Sequence, residues 1–142
     1  MKNIDAFDRS VAEIFATLYT EFPIPIKMEF SDAPIAIMDA EDSGSEMLDK
    51  FVIYENTIKW LIAAGYVNAE STNNQAAFGA VLSAKGLEIL KLPSSLEKSG
   101  PTFGEKIVSS IKSGAIEAAK NTAQSAISKG LSLAITLAQN SA

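Results

Sequence analysis

One stretch of the chain, a helical run that ends at a glycine and leads into a polar interval, constrains the fold most. The run TIKWLIAAGYV has helical apolar spacing, and Gly65 is the kind of residue that ends helices. Two short apolar runs at 66–69 and 77–82 flank the polar tip ESTNNQ, as in a β-hairpin. Ser83 then precedes AKGLEIL, which predicts a second helix over 84–91 with a serine N-cap.

The N-terminal part of the chain predicts a helix followed by an edge strand. Apolar residues recur at helical spacing over 4–21, which indicates an amphipathic helix that Pro23 ends. Apolar and charged residues then alternate up to Phe30, which predicts a short strand at 25–30. A short helical turn is predicted over 33–38.

The segment 45–64 is predicted to be helical, with Ser45 as its candidate N-cap. Two interpretations remain open. Either one long helix spans the segment, or two helices meet near Asn56 and Thr57 caps the second. The apolar face of this segment is assigned to Met47, Leu48, Phe51, Val52, Ile58, Leu61 and Ile62.

The C-terminal part differs in composition from the rest of the chain. A linker is predicted at 93–102, between a domain at 1–92 and a tail at 103–142 that reads as one long helix rich in Ala, Ser and Gly. Small side chains let helix backbones approach closely, so the tail is predicted to pack against something. The candidate residues for an oligomer contact are Ile111, Ala115, Ala119, Ala126, Gly130 and Ala134.

The chain resembles the winged helix-turn-helix superfamily over roughly residues 4–91. The resemblance rests on TIKWLIAAGYV, which is similar to a recognition helix ending in a glycine-aromatic strand, and on VLSAKGLEIL, which is similar to a strand, cap and closing helix. It also resembles uncharacterised bacterial proteins with a small-residue-rich helical C-terminal tail. The resemblance implies a mainly α fold with a small β-hairpin (α+β), a winged-helix head and a long C-terminal helix. It also favours a turn near Asn56.

Composition narrows the chemistry that the chain can perform. Its 142 residues include no Cys and no His, which removes disulfides, thiolate nucleophiles, catalytic imidazoles and the usual zinc ligands. The acidic loop from Asp39 to Glu46 fails as a calcium loop because Lys50 stands at its twelfth position. No converging catalytic set is found among the other side chains, so the sequence predicts neither an enzyme nor a cofactor.

Charge separates the two halves of the chain. Residues 1–55 contain twelve acidic and four basic residues, a net charge of −8, whereas residues 56–142 contain five acidic and eight basic residues, a net charge of +3. In the resembling superfamily the recognition helix, here 57–64, and the wing, here 66–82, contact DNA. No basic residue lies between Tyr66 and Ala84 to neutralise phosphates, which argues against that role.

The favoured interpretation is therefore a protein-interaction or assembly module whose tail mediates oligomerisation or docking, with a DNA-binding regulator as the alternative. Trp60 is predicted to join the core or its rim, with a partner-binding anchor as the other possibility. The sequence lacks a secretory signal and a long apolar run, so a cytoplasmic protein without membrane attachment is expected. The candidate DNA or partner contacts are Asn56, Thr57, Lys59, Trp60, Asn73 and Asn74.

Overall fold

The computed structural model describes residues 2–34 and 37–140, and the side chains of residues 3–34 and 37–133. The described residues form α-helices and a small antiparallel sheet, so the predicted α+β class, mainly α, is confirmed. In chain order the elements are α1 (Lys2–Glu21), β1 (Ile26–Glu29), a 3₁₀ turn (Phe30–Asp32), α2 (Gly44–Ala63), β2 (Val67–Asn68), β3 (Ser71–Thr72), β4 (Ala76–Leu82), α3 (Ala84–Leu90), α4 (Phe103–Ser113) and α5 (Ile116–Asn140).

Helix α1 is the central element of the core. It packs against α2 on one side and against α4 and α5 on others, and it also contacts β4. A helix that is surrounded in this way needs apolar residues on most of its circumference. The buried apolar side chains of α1 are Ala6, Val11, Ala12, Ile14, Phe15, Ala16 and Leu18.

The sheet has the order β1–β4–β2, and β3 pairs with β4 further along the same hairpin. Val67 is paired with Leu82, and Met28 with Ala77, in antiparallel register. The predicted hairpin and the edge strand near 25–30 are therefore present. A 3₁₀ turn spans Phe30–Asp32. The helical turn predicted over 33–38 is supported where it is described, because Ile37 is in a 3₁₀ turn and its N–H donates to the Pro34 carbonyl at 3.1 Å; residues 35–36 lie outside the described residues.

Helix α2 is continuous from Gly44 to Ala63, so of the two open interpretations the single long helix is confirmed, and the turn near Asn56 that the resemblance favours is wrong. The helix continues because Tyr54, Thr57, Ile58 and Leu61 form one buried face across the expected break. The Thr57 hydroxyl donates to the Ile53 carbonyl at 2.6 Å within the helix rather than capping a new one.

The N-cap of α2 is Ser43 and not the predicted Ser45. The Ser43 hydroxyl accepts a hydrogen bond from the Glu46 N–H, and the Glu46 carboxylate accepts one from the Ser43 N–H. This reciprocal capping box satisfies two backbone donors at the helix start. The sequence contained the signal, because serine and glutamate stand three residues apart at these positions.

The predicted linker at 93–102 is a loop whose two ends are joined. Pro93 and Thr102 form an antiparallel bridge, and the Ser94 N–H donates to the Pro101 carbonyl at 3.1 Å. The segment therefore holds α3 and α4 side by side and does not separate them as a free tether would.

The tail contains two helices rather than the single helix predicted. Gly114 ends α4 in a left-handed conformation with φ of 78°, which glycine adopts without the steric penalty of a side chain. Both helices contribute to the same core as α1, so the predicted boundary does not divide the core. The buried apolar residues of α4 and α5 are Phe103, Ile107, Ala119, Ala123 and Ala126.

Candidate interaction surface

The predicted contact residues on α2 have three different environments. Thr57 is 2% exposed and is therefore closed to a ligand or partner. The Asn56 amide donates to the Val52 carbonyl at 2.8 Å and lies at the surface. The Lys59 amine forms a 2.7 Å ion pair with Glu55. Only part of the predicted set can therefore meet another molecule.

Trp60 lies at the rim of the core, as the sequence predicted, and remains 42% exposed. Its ring meets the Phe7 ring edge-on at 5.3 Å between centroids and stacks on the Tyr66 ring at 6.3 Å. Tyr66 is almost fully buried, so these contacts anchor one part of the indole while the remainder faces outward. A held but partly exposed tryptophan is the side chain most often found at the centre of protein interfaces.

The two predicted wing residues have different roles. The Asn73 side-chain oxygen accepts hydrogen bonds from the Gln75 and Ala76 N–H groups at 2.8 and 2.9 Å, which shapes the hairpin turn. Asn74 is exposed and lines a groove with Gln75. Asn73 is therefore a structural residue, and of the two only Asn74 lines a groove that is open to a partner.

The candidate oligomer residues of the tail are mostly used inside the chain. Ala119, Ala126 and Gly130 are buried against the protein's own helices, so they are closed to a partner in this structure. Ile111 is half-buried and Ala115 is exposed. The side chain of the remaining candidate, Ala134, lies outside the described residues.

Gly130 shows why the tail needs small residues at this face. A Cβ atom at this position would lie 2.5 Å from the Ile89 Cδ1 atom and 2.9 Å from the Tyr66 hydroxyl. Helix α5 therefore approaches the hairpin end of the molecule too closely for any side chain here. The prediction of an oligomer contact is corrected for Ala119, Ala126 and Gly130, because these three residues are buried within the same chain.

A different surface emerges on α2, formed by large apolar side chains that point away from the core. Leu48, Val52 and Trp60 are 66%, 57% and 42% exposed, and Asn56 continues the same row at four-residue spacing. We call the row Leu48, Val52, Asn56 and Trp60 the α2 stripe. Positions four apart form a ridge on a helix, so this stripe crosses the outer face of α2 as one continuous feature.

A groove of about 550 Å³ borders the stripe on the side of the hairpin. Its apolar wall includes Leu48, Phe51 and Val52 from α2, and Phe30 faces them from the 3₁₀ turn. Glu55 is the charged group of α2 in this groove, where it is paired with Lys59. The other lining residues are polar, namely Glu29, Ser31, Glu55, Asn74 and Gln75. The groove therefore combines an apolar wall with a polar one, as surfaces that receive a partner's side chains often do.

A second groove of about 480 Å³ borders the stripe on the side of α1. Its lining is almost entirely apolar and includes Ile4 and Phe7 of α1 together with Ile53 and Trp60 of α2. Ile4 is 56% exposed and extends the apolar area onto the neighbouring helix. The stripe and its two grooves thus form one apolar surface across α1 and α2.

The basic side chains described between residues 3 and 55 all form ion pairs within the chain, namely Arg9, Lys27 and Lys50. Lys50 binds Asp39 at 2.9 Å and Asp42 at 2.6 Å, and Arg9 binds Asp39 at 3.0 Å. Hydrogen bonds from Lys50 and then Arg9 lower the pKa of Asp39. The acidic loop is consequently tied to α1 and α2, and none of the basic side chains described between residues 3 and 55 is left unpaired to attract phosphates.

The stripe is not predicted from the sequence, because the helical spacing assigns Leu48 and Val52 to the apolar face of α2, and both are exposed. The actual core face is formed by Tyr54, Ile58 and Leu61 together with Thr57. The available signal was that apolar residues occupy more of the circumference of α2 than one buried face requires. Positions at four-residue spacing on the opposite side of Ile58 and Leu61 would have identified the exposed row.

Comparisons with known proteins give this chain no relative: no family profile, curated protein or solved structure matches it significantly. Among the described residues, no helix has the length and apolar content to span a membrane. Within the same part of the chain, no three acidic side chains converge as a metal site would require.

Proposed function

We propose that this protein is a non-enzymatic protein-interaction module that docks a partner on the α2 stripe and its two grooves. The observation that carries this proposal is the exposure of three large apolar side chains, Leu48, Val52 and Trp60, in one row on a well-packed helix. Contiguous exposed apolar surface on a small protein marks a binding surface more often than scattered single residues do.

The energetics of the surface support the same function. Covering an exposed leucine, valine or tryptophan removes apolar area from water, and full burial of such a side chain contributes roughly 1.5–3 kcal/mol. Helix α2 is already held by its buried face and by its capping box, so little ordering would accompany binding. A rigid stripe that includes an exposed tryptophan would therefore keep most of that free energy as affinity.

The resemblance to winged-helix proteins supplies the scaffold in this proposal. Helix α2, the hairpin and α3 follow one another in the order on which that resemblance rests. The continuous path of α2 departs from the expected helix-turn-helix, and the outward face of α2 presents apolar rather than basic residues. Such a scaffold suits protein recognition by a helix face better than recognition of a phosphate backbone.

The DNA-binding alternative has less support. The proposed recognition helix, 57–64, contains one basic residue, Lys59, so a single lysine would have to supply all phosphate contacts from the side chains of this helix. Asn73 is occupied by the turn, and the hairpin carries no lysine or arginine. Docking through the tail also has less support. Among the side chains described beyond Gly130, the large apolar ones exposed to a partner are Leu131 and Leu133.

A site-specific photo-cross-linker tests the proposed surface directly. Benzoylphenylalanine at Val52 should yield covalent adducts of increased mass when the full chain is irradiated in its producing cell. The matched control places the same residue at Leu96, which is fully exposed on the 93–102 loop and far along the chain from the stripe. Both positions tolerate a large side chain because neither contributes to the core.

Adducts from position 52 and none from position 96 would support docking on the stripe. Equal labelling at both positions, or no adduct at either, would contradict the proposal. The DNA alternative has its own readout, since fluorescence anisotropy with duplex DNA at about 50 and 200 mM salt should show steep salt dependence if phosphate contacts exist.

A further inference from the structure

We infer that the partner docked on the α2 stripe is a second copy of this chain, in an antiparallel pair of α2 helices around a two-fold axis at the level of Tyr54. The inference rests on the proposed function and names its partner. In a two-fold dimer the same surface is used by both copies, so the surface has to be complementary to itself. The outer face of α2 meets that requirement in its shape, its apolar residues and its charges.

The apolar residues of the stripe are arranged symmetrically about Tyr54. Leu48 and Trp60 are equally distant from it along the helix, and so are Val52 and Asn56. An antiparallel pair therefore places Leu48 at the level of the partner's Trp60, and Val52 at the level of the partner's Asn56. Each large side chain thus meets one of a different size, which allows the two rows to interdigitate.

The charges on the same face are also complementary. Asp49 and Lys59 are equally distant from Tyr54, so Asp49 lies at the level of the partner's Lys59, and the reverse contact forms by symmetry. Asp49 is exposed and forms no ion pair with any side chain in the described ranges. The Lys59 side chain is 40% exposed, and its amine has three donors, of which Glu55 occupies one.

The ends of the stripe allow two helices to approach. Ser45 and Ala63 are both exposed and are also equally distant from Tyr54, so a small residue faces a small residue at each end. The stripe extends over about 18 Å of helix. That length is short for an interface of standard size, about 800 Å² per partner, so Ile4 and the groove walls would have to contribute to a reversible dimer.

Charge reversal tests this arrangement on the full-length chain by sedimentation equilibrium. The wild-type chain of 15.1 kDa should approach twice that mass as its concentration rises through the micromolar range. Asp49→Lys should weaken self-association about tenfold, since both attractive contacts of the pair become repulsive between two lysines. Lys59→Asp should weaken it to a similar extent, since both contacts then join two aspartates. An equimolar mixture of the two variants should regain the wild-type affinity, because both contacts become attractive again in the mixed pair.

The regain in the mixture is the decisive result, since a loss of folding in either variant cannot produce it. Circular dichroism of each variant and the fully exposed Leu96→Asp substitution serve as controls for structure and for added charge. If Lys59→Asp is poorly folded, Leu48→Asp should abolish the dimer in its place.

A wild-type chain that stays at 15.1 kDa, or a mixture no tighter than its components, would overturn the inference. The proposed function would fail separately. Adducts of a different protein at position 52 with a monomeric chain would keep the docking surface and reject the second copy as its occupant. The absence of all adducts at position 52 would reject both.

Discussion

The two long helices that follow α1 in the chain, α2 and α5, distribute their apolar residues in opposite ways. Helix α5 has small residues on its inner face, and Ala119, Ala123 and Ala126 are fully buried. Helix α2 exposes Leu48 and Val52, which are much larger. Burial in this molecule therefore depends on how closely two helices approach, and large apolar size alone does not predict it. The small face of α5 contributes to the fold, whereas the large face of α2 is free for a partner.

The largest expected effect comes from comparing two leucines on α2. Leu61 is fully buried, so Leu61→Ala should reduce the free energy of unfolding by about 3 kcal/mol through lost burial and the cavity left behind. Leu48 is 66% exposed, so Leu48→Ala should change it by less than about 0.5 kcal/mol. Urea unfolding followed by circular dichroism measures both, at a concentration below the onset of self-association. Similar losses for the two variants would mean that α2 is packed differently from the structure.

The next effect concerns the close approach of α5. Ala126→Leu adds a large side chain at a fully buried position and should reduce the free energy of unfolding by about 2 kcal/mol through overpacking. Ser125→Leu also enlarges a small side chain, at an exposed position of the same helix, and should have an effect near zero. Chemical denaturation of both variants provides the measurement. Equal stability would show that α5 does not lie against the head in solution.

The smallest expected effect concerns Glu13 on α1, the helix that both α2 and α5 contact. Burial raises the pKa of the Glu13 carboxyl, and its Oε2 atom has no hydrogen-bond partner among the described residues. A raised folded-state pKa favours the protonated form in the native state. The contribution of this group to stability is therefore complete below its unfolded pKa near 4.5 and declines as pH rises through the folded value.

Glu13→Gln removes the titration and should raise the melting temperature at pH 7 by about 2 °C. The difference from wild type should shrink as pH falls towards 4, where the native carboxyl is protonated. Thermal melts at pH 4, 5.5 and 7 follow this trend, and Glu21→Gln on the exposed end of α1 is the control. A constant difference across that pH range would assign the effect to the amide rather than to the charge.

The order of elements could be predicted from the sequence because local signals were strong. Three features occur where the sequence predicts them: the end of α2 near Gly65, the hairpin, and the N-cap at Ser83. Element ends were predicted less well, since α2 is capped by Ser43 in a capping box and not by Ser45. These features depend on neighbours within a few residues, so a single sequence contains enough information.

The candidate surface could not be predicted in the same way. Whether Val52 faces the core or water depends on where α1 and the hairpin lie, and these are tertiary contacts. The destination of the small-residue face was open for the same reason, because Gly130 would suit a partner chain as well as it suits Tyr66 and Ile89. Local pattern gives the faces of a helix, and only the assembled fold shows which face is covered.

The joined ends of the 93–102 loop have a consequence for engineering the protein. The Pro93 and Thr102 bridge fixes the geometry at the base of the loop, while Leu96 at its tip contacts nothing that would hold it. A backbone cut at this tip should leave two fragments that share one core, since α4 and α5 pack against α1 and backbone hydrogen bonds join the two sides of the loop. The protein could thus be divided there into two complementary pieces that reassemble, and each piece could carry a separate reporter.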